Sequence, residues 1–156
     1  MKASVQLFME NGVQILDLML SGVLPRFPDA KFVSVESGIG FIPFILEASD
    51  YAFADGKVWR ERPYFTMKPS EYFRRQVYAC YFFEERAPHH VIEEIGADNL
   101  CFETDYPHPI CLYGNVREKI DAGLDGQPPD VRRKLLWENA ARLYDVEEPD
   151  RATAAA

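Results

Sequence analysis

Apolar residues recur at helical spacing between residues 11 and 24, where Ile15, Leu16, Met19, Leu20, Val23 and Leu24 form a stripe. Pro25 and Pro28 end the pattern, with a turn over Arg26-Phe27-Pro28-Asp29. Residues 31–36 read as a short strand, which stops at Ser37-Gly38-Ile39-Gly40, where glycines permit a tight turn. A second helix is predicted over 41–53, with Phe41, Phe44, Ile45 and Ala48 facing inward. Pro43 falls in its first turn, where a missing N–H costs little. Residues 54–68 show no clear period and carry Trp59, Tyr64 and Phe65 among several charges. They read as a long loop, either a surface connection or a functional segment that lids or packs a larger body.

Beyond the loop, residues 69–74 look like a helical turn, and 77–83 form a strand that is aromatic and apolar on both faces. A helix over 87–95 is framed by Pro88 near its start and Gly96 just past its end. A third strand is expected over 99–104, then helices over 116–124 and 130–144. The last helix has Val131, Leu135, Leu136, Ala140 and Leu143 as its buried stripe. Residues 1–146 are expected to form one unit, and 147–156 a flexible tail.

Alternation of helices with three strands implies an α/β fold with a parallel sheet. Three parallel strands are too few to cover both faces and manage both edges, so they read as part of a larger barrel.

Charge narrows the partners. The net charge is −8, and the basic residues are scattered in short groups such as Arg74-Arg75. Phosphate binding needs clustered Lys and Arg, so nucleic acid is excluded. Cys80, Cys101 and Cys111 have no metal-type spacing, and two of them fall in predicted strands, where a thiol behaves as a small hydrophobe. The most apolar stretch, 13–24, is interrupted by Asp17 and is too short to span a bilayer, and no signal-peptide pattern opens the chain. A reducing, cytoplasmic setting without membrane contact is expected.

Candidate chemistry gathers in Leu100-Cys101-Phe102-Glu103-Thr104-Asp105-Tyr106-Pro107-His108-Pro109. Asp105 would emerge at a strand's carboxyl end, where α/β sheets place their chemistry. It is either a site carboxylate or a cap on the following turn. His108, between two prolines, is expected to shape the loop or orient Asp105 rather than to ligate directly. Glu36, beside Gly38 and Gly40, is either a substrate or metal-water contact or a carboxylate satisfied by loop amides. His89 and His90 are assigned to the surface, and Glu84-Glu85 and Glu93-Glu94 to solvated helix faces.

These residues also carry a family resemblance. Gly22-Val23-Leu24-Pro25-Arg26-Phe27-Pro28, Val35-Glu36-Ser37-Gly38-Ile39-Gly40-Phe41-Ile42-Pro43-Phe44 and Lys68-Pro69-Ser70-Glu71-Tyr72-Phe73 are similar to segments of the amidohydrolase-related metal-dependent hydrolases. That group includes aminocarboxymuconate-semialdehyde decarboxylase. Ile95-Gly96-Ala97-Asp98-Asn99-Leu100, Thr104-Asp105-Tyr106-Pro107-His108 and Asn139-Ala140-Ala141-Arg142-Leu143-Tyr144 complete the set. The resemblance implies a TIM-type (β/α)8 barrel, of which this chain supplies about the last three parallel strands. It also implies catalysis at the strands' carboxyl ends.

By the same resemblance, Asp105 is the aspartate that ligates a divalent metal, usually zinc, or takes a proton as general base. Glu36 stands where many members carry a catalytic histidine. The implied substrate is a small carboxylate or amide. The family's His-x-His metal pair has no counterpart, since the sequence has only His89, His90 and His108. A catalytic zinc site needs about three protein ligands and an open position. The chain is therefore expected to be a truncated or split hydrolase or decarboxylase that holds metal weakly, joined to a missing amino-terminal half or to copies of itself. The competing expectation is an inactive remnant or assembly module that keeps the packing.

Overall fold

The computed structural model describes residues 2–148. Its elements run α1 (Lys2–Leu20), α2 (Val23–Arg26), β1 (Phe32–Ser34), α3 (Ile42–Asp55), α4 (Val58–Glu61), α5 (Pro69–Gln76), β2 (Val77–Tyr81), α6 (Ala87–Ile95), β3 (Leu100–Phe102), α7 (Val116–Gly123), α8 (Pro129–Arg133), a π-helical turn over Lys134–Glu138, and α9 (Asn139–Tyr144). The strands form one parallel sheet in the order β1-β2-β3, with Phe32 opposite Val77 and Cys80 opposite Cys101. All five residues of β2 are buried, as a central parallel strand covered on both faces requires. The expected tail lies, beyond residue 148, outside the described residues.

One face of the sheet carries the main core. Val77, Ala79, Tyr81 and Leu100 meet Ile15 and Met19 of α1, Ile42 and Leu46 of α3, and Tyr72 and Phe73 of α5. The other face is smaller: Tyr78, Cys80 and Cys101 pack under Val33 and under Ala140 and Leu143 of α9. The three cysteines are free, and the two strand thiols are buried. The terminal helix therefore splits its apolar residues between two layers, with Leu135 in the main core and Leu136 exposed. This corrects the single buried stripe expected for it, because the π-helical turn rotates the residues that follow.

Three other elements differ from expectation. Helix α1 begins at Lys2 rather than near residue 11, its first turns leaving Val5, Leu7 and Met9 exposed. In α3 the buried positions are Ile42, Leu46, Ser49 and Phe53, while Phe44 is 75% exposed. Phe41 and Ile45, expected inward, do pack against the core, but the most buried line runs through Ile42, Leu46, Ser49 and Phe53, so the inward face is rotated away from Phe44. Residues 54–68 contain α4, and Phe65 is buried in an aromatic stack with Phe53 at 5.6 Å and Tyr72 at 5.8 Å between ring centroids. The Tyr72 hydroxyl accepts the Thr66 N–H at 2.9 Å, so this segment is packed into the body.

Several of the recognisable segments are spent on this scaffold. Ser70 donates its N–H and its hydroxyl to the two oxygens of Asp50 on α3, at 2.9 and 2.7 Å, tying the start of α5 to its neighbour. Gln76, fully buried, donates to the Phe27 and Ala30 carbonyls at 2.7 and 3.1 Å and holds the loop leading into β1. Among the described residues no helix is long and apolar enough to cross a membrane.

Candidate metal centre

Because β1, β2 and β3 run parallel, their carboxyl ends share one edge of the sheet. Two residues past β1 the chain turns at Glu36, and three past β3 it turns at Asp105. Both take left-handed backbone conformations, with φ of 59° and 56°. For a residue with a Cβ this conformation costs on the order of 1–3 kcal/mol and persists where surrounding contacts enforce it, often at functional sites. The loops bring Glu36, Asp105 and His108 together, with one donor atom from each within 4.8 Å of the others. The three residues singled out from sequence therefore converge.

Asp105 is fixed by its own turn. Its carbonyl accepts the His108 N–H at 2.8 Å, and His108 Nδ1 lies 2.9 Å from its Oδ2. The Asp105 side chain is only 15% exposed, whereas that of His108 is 55% exposed. The Thr104 carbonyl accepts the Leu112 N–H at 2.9 Å, closing the segment into a loop. Beside Asp105 an open depression of about 430 Å³ is lined by Thr104, Tyr106, Leu112, Tyr113, Gly114 and Val116. Tyr106 and Tyr113 stack across it at 5.5 Å, both exposed.

Two further carboxylates, not singled out from sequence, border the cluster. Glu103 accepts the Glu36 N–H at 2.6 Å, a bond that joins the end of β3 to the end of β1. Burial pushes the Glu103 carboxyl up to about 7, with Glu36, Asp105 and Glu84 adding repulsion and the Glu36 N–H opposing it. Glu84, past the end of β2, accepts the Ile39 N–H at 2.9 Å and the Gly40 N–H at 2.9 Å. Burial raises its pKa too, against the pull of those two amides. This corrects the assignment of Glu84 to a solvated helix face; its neighbour Glu85 does pair at the surface, with Lys119 at 2.6 Å. A hint was available in Ser37-Gly38-Ile39-Gly40, a glycine turn outside any helix or strand whose backbone amides can take an anion. His89 and His90 lie on α6, apart from the cluster, and His89 is within 3.4 Å of Gln127.

Two carboxylates and an imidazole form a donor set suited to a hard or borderline divalent ion, and the pooled negative charge favours a cation there. The residues present fit a metal. Their number is three, and the exposure of His108 keeps one side of the cluster open.

Comparison with known proteins identifies the family and the fold. The profile of a family described as Amidohydrolase matches residues 3–146. Gamma-resorcylate decarboxylase from Polaromonas sp. strain JS666 is 28% identical over 140 residues, covering 88% of this chain and 41% of that protein. The crystal structure of 5-carboxyvanillate decarboxylase from Sphingomonas paucimobilis superposes with a TM-score of 0.69 at 29% identity, over 85% of this chain and 38% of that one. Dihydroxybenzoic acid decarboxylase from Polaromonas sp. JS666, solved with bound manganese and the inhibitor 2-nitroresorcinol, gives 0.70 at 25% identity, over 91% and 42%. The chain thus spans about two-fifths of the length of these relatives. Its three-stranded parallel sheet is a part of their TIM-type barrel.

Proposed function

Since the chain belongs to the amidohydrolase family, we propose that it forms part of a divalent-metal-dependent decarboxylase acting on a small aromatic carboxylate. The observation that carries this reading is the convergence of Glu36, Asp105 and His108 at the strands' carboxyl ends. Asp105 and Glu36 would hold the metal, manganese or zinc, with His108 either ligating or fixing Asp105 through its ring nitrogen. Such an ion supplies Lewis-acid charge stabilisation.

The surrounding side chains support a cation at this position. Glu36, Glu84, Glu103 and Asp105 gather at one edge, so a carboxylate substrate would meet repulsion there unless positive charge offsets it. Loss of carbon dioxide leaves a carbon that takes up one proton. Asp105, held by His108 and mostly shielded from water, is the group proposed to hold that proton. The depression flanked by Tyr106 and Tyr113 has room for a single substituted ring.

A second reading is that the chain is a catalytically inactive remnant or an assembly module. It is favoured by the exposed Val5, Leu7, Met9 and Val13 of α1, an apolar face suited to assembly. On the first reading the remaining ligands come from residues outside this sequence, on an amino-terminal half or a further copy. Carbon dioxide release from gamma-resorcylate or 5-carboxyvanillate by the manganese-supplemented chain, assembled with the half or the copies that supply the remaining ligands, separates the two. Release that Asp105→Asn abolishes supports the decarboxylase. Absence of release, or release that Asp105→Asn leaves intact, overturns it in favour of the second reading, for which sedimentation then supplies the oligomeric state.

A further inference from the structure

The loop that carries Glu36 is held at both ends by acids from neighbouring strand ends, and this arrangement has a purpose for the site. We propose that Glu103 is a positioning residue: its carboxylate, by accepting the Glu36 N–H, sets the backbone that turns the Glu36 side chain toward Asp105 and His108. The inference rests on reading those three residues as a metal site.

Glu36 and Glu103 are 67 residues apart in sequence, and their 2.6 Å hydrogen bond spans from the end of β1 to the end of β3, across the top of β2. A charge-assisted bond from carboxylate to amide is about twice as strong as a neutral one. It acts on a residue whose φ of 59° is unfavourable for any side chain but glycine's, so it opposes relaxation of that residue to ordinary backbone. The other end of the loop is fastened independently, by Glu84 on the Ile39 and Gly40 amides. There the backbone lies so close that a Cβ on Gly38 would meet the Glu84 carboxyl at 2.7 Å. With residues 39 and 40 anchored by Glu84, Glu103 is left to determine how the loop's first residue is turned. Glu103 itself is absent from the three groups whose donors converge. Its carboxylate serves the site through Glu36.

The test uses the full chain with Mn²⁺ alone as probe, because manganese prefers oxygen and imidazole donors and leaves the three thiols aside. Manganese binding by calorimetry and hydrogen exchange at the Glu36 amide by NMR are measured for wild type, Glu103→Ala and Glu103→Gln. Glutamine keeps an oxygen that accepts the amide but lacks the charge that strengthens the bond, so it should stay closer to wild type than alanine in both readouts. Alanine should weaken manganese binding by about tenfold, the lower end for loss of a ligand-orienting partner. It should also speed exchange at Glu36 by about tenfold, since the amide loses its acceptor. Wild-type manganese affinity in Glu103→Ala overturns the proposal, even if the amide is loosened, because the bond would then be structural only. Unchanged amide exchange in Glu103→Ala overturns it as well. Should wild type itself bind no manganese, the metal-site reading fails and the positioning role falls with it. The exchange data would still report whether the Glu103 bond restrains Glu36, which distinguishes the two failures.

Discussion

Asn139→Ala should be among the most damaging single substitutions in the described body, although the residue is remote from the acid cluster. Asn139 is fully buried, and its amide nitrogen donates to the carbonyls of Ala97 and Leu100, each at 2.6 Å. The ladder to β2 runs through Asn99 and Glu103, whose backbone groups bond Ala79 and Tyr81, so by alternation the Leu100 carbonyl faces away from β2. Asn139 satisfies that edge group with a side chain, where no fourth strand lies among the described residues. Alanine would leave two buried acceptors short of a donor, at about 1–3 kcal/mol each. Ala97 keeps a longer bond from the Leu100 N–H at 3.4 Å, which softens one of the two losses. The expected cost is about 2–4 kcal/mol, large against a typical domain stability of roughly 5–15 kcal/mol. Urea unfolding followed by circular dichroism should show a midpoint lowered by about 1–2 M at unchanged slope. Arg142→Ala is the control. Its exposed guanidinium donates to the Asp98 carbonyl at 2.8 Å and to Asn139 Oδ1 at 3.1 Å; removing it leaves both bonds from the Asn139 amide nitrogen in place and should matter by less than about 1 kcal/mol. A cost below about 0.5 kcal/mol for Asn139→Ala, or one equal to that of Arg142→Ala, would refute the reasoning.

Other outcomes follow from the same contacts. Phe65→Ala should cost about 3–5 kcal/mol through the cavity left between Phe53 and Tyr72, whereas a floppy connection would show almost none; thermal unfolding decides. In metal-free protein Glu103 titrates near 7 when folded and near 4.5 when unfolded, so between those values the folded state holds the extra proton. The contribution of Glu103 to stability should therefore be fullest below 4.5, fall as pH rises to about 7, and level off above it. The ceiling is roughly 3 kcal/mol at about 1.4 kcal/mol per pH unit, and because Glu103 is only partly buried on the order of 1–2 kcal/mol is expected. Glu103→Gln should remove that fall, and a variant that keeps the wild-type pH profile would assign the slope to other groups.

Much of the architecture could be read from local pattern. Proline at the start and glycine at the end framed α6, and glycine at 38 and 40 marked the turn after β1, because these signals are intrinsic to the residues that carry them. Glu36, Asp105 and His108 stood out as polar groups at strand ends, and the fold brings them together. The contacts of Glu84 and Glu103 were hidden because their partners lie 45 and 67 residues away, and adjacent acids resemble a solvated face when only neighbours are considered. The inward face of α3 was misjudged for a related reason. Phe44 is more hydrophobic than Ser49, but packing against α1 and α5 set the rotation, leaving Phe44 outside and Ser49 buried with its hydroxyl returned to the Ile45 carbonyl at 2.6 Å. The first turns of α1 were missed because their apolar residues, Val5, Leu7 and Met9, stay exposed and so lack a buried stripe.

The central claim is that Asp105 anchors a divalent-metal site with Glu36 and His108. Calorimetric titration of Mn²⁺ into the wild-type chain and into Asp105→Ala tests it most directly. One saturable, weakly held manganese per wild-type chain, lost in Asp105→Ala, is the predicted result. No saturable binding, or binding that Asp105→Ala leaves unchanged, would contradict it.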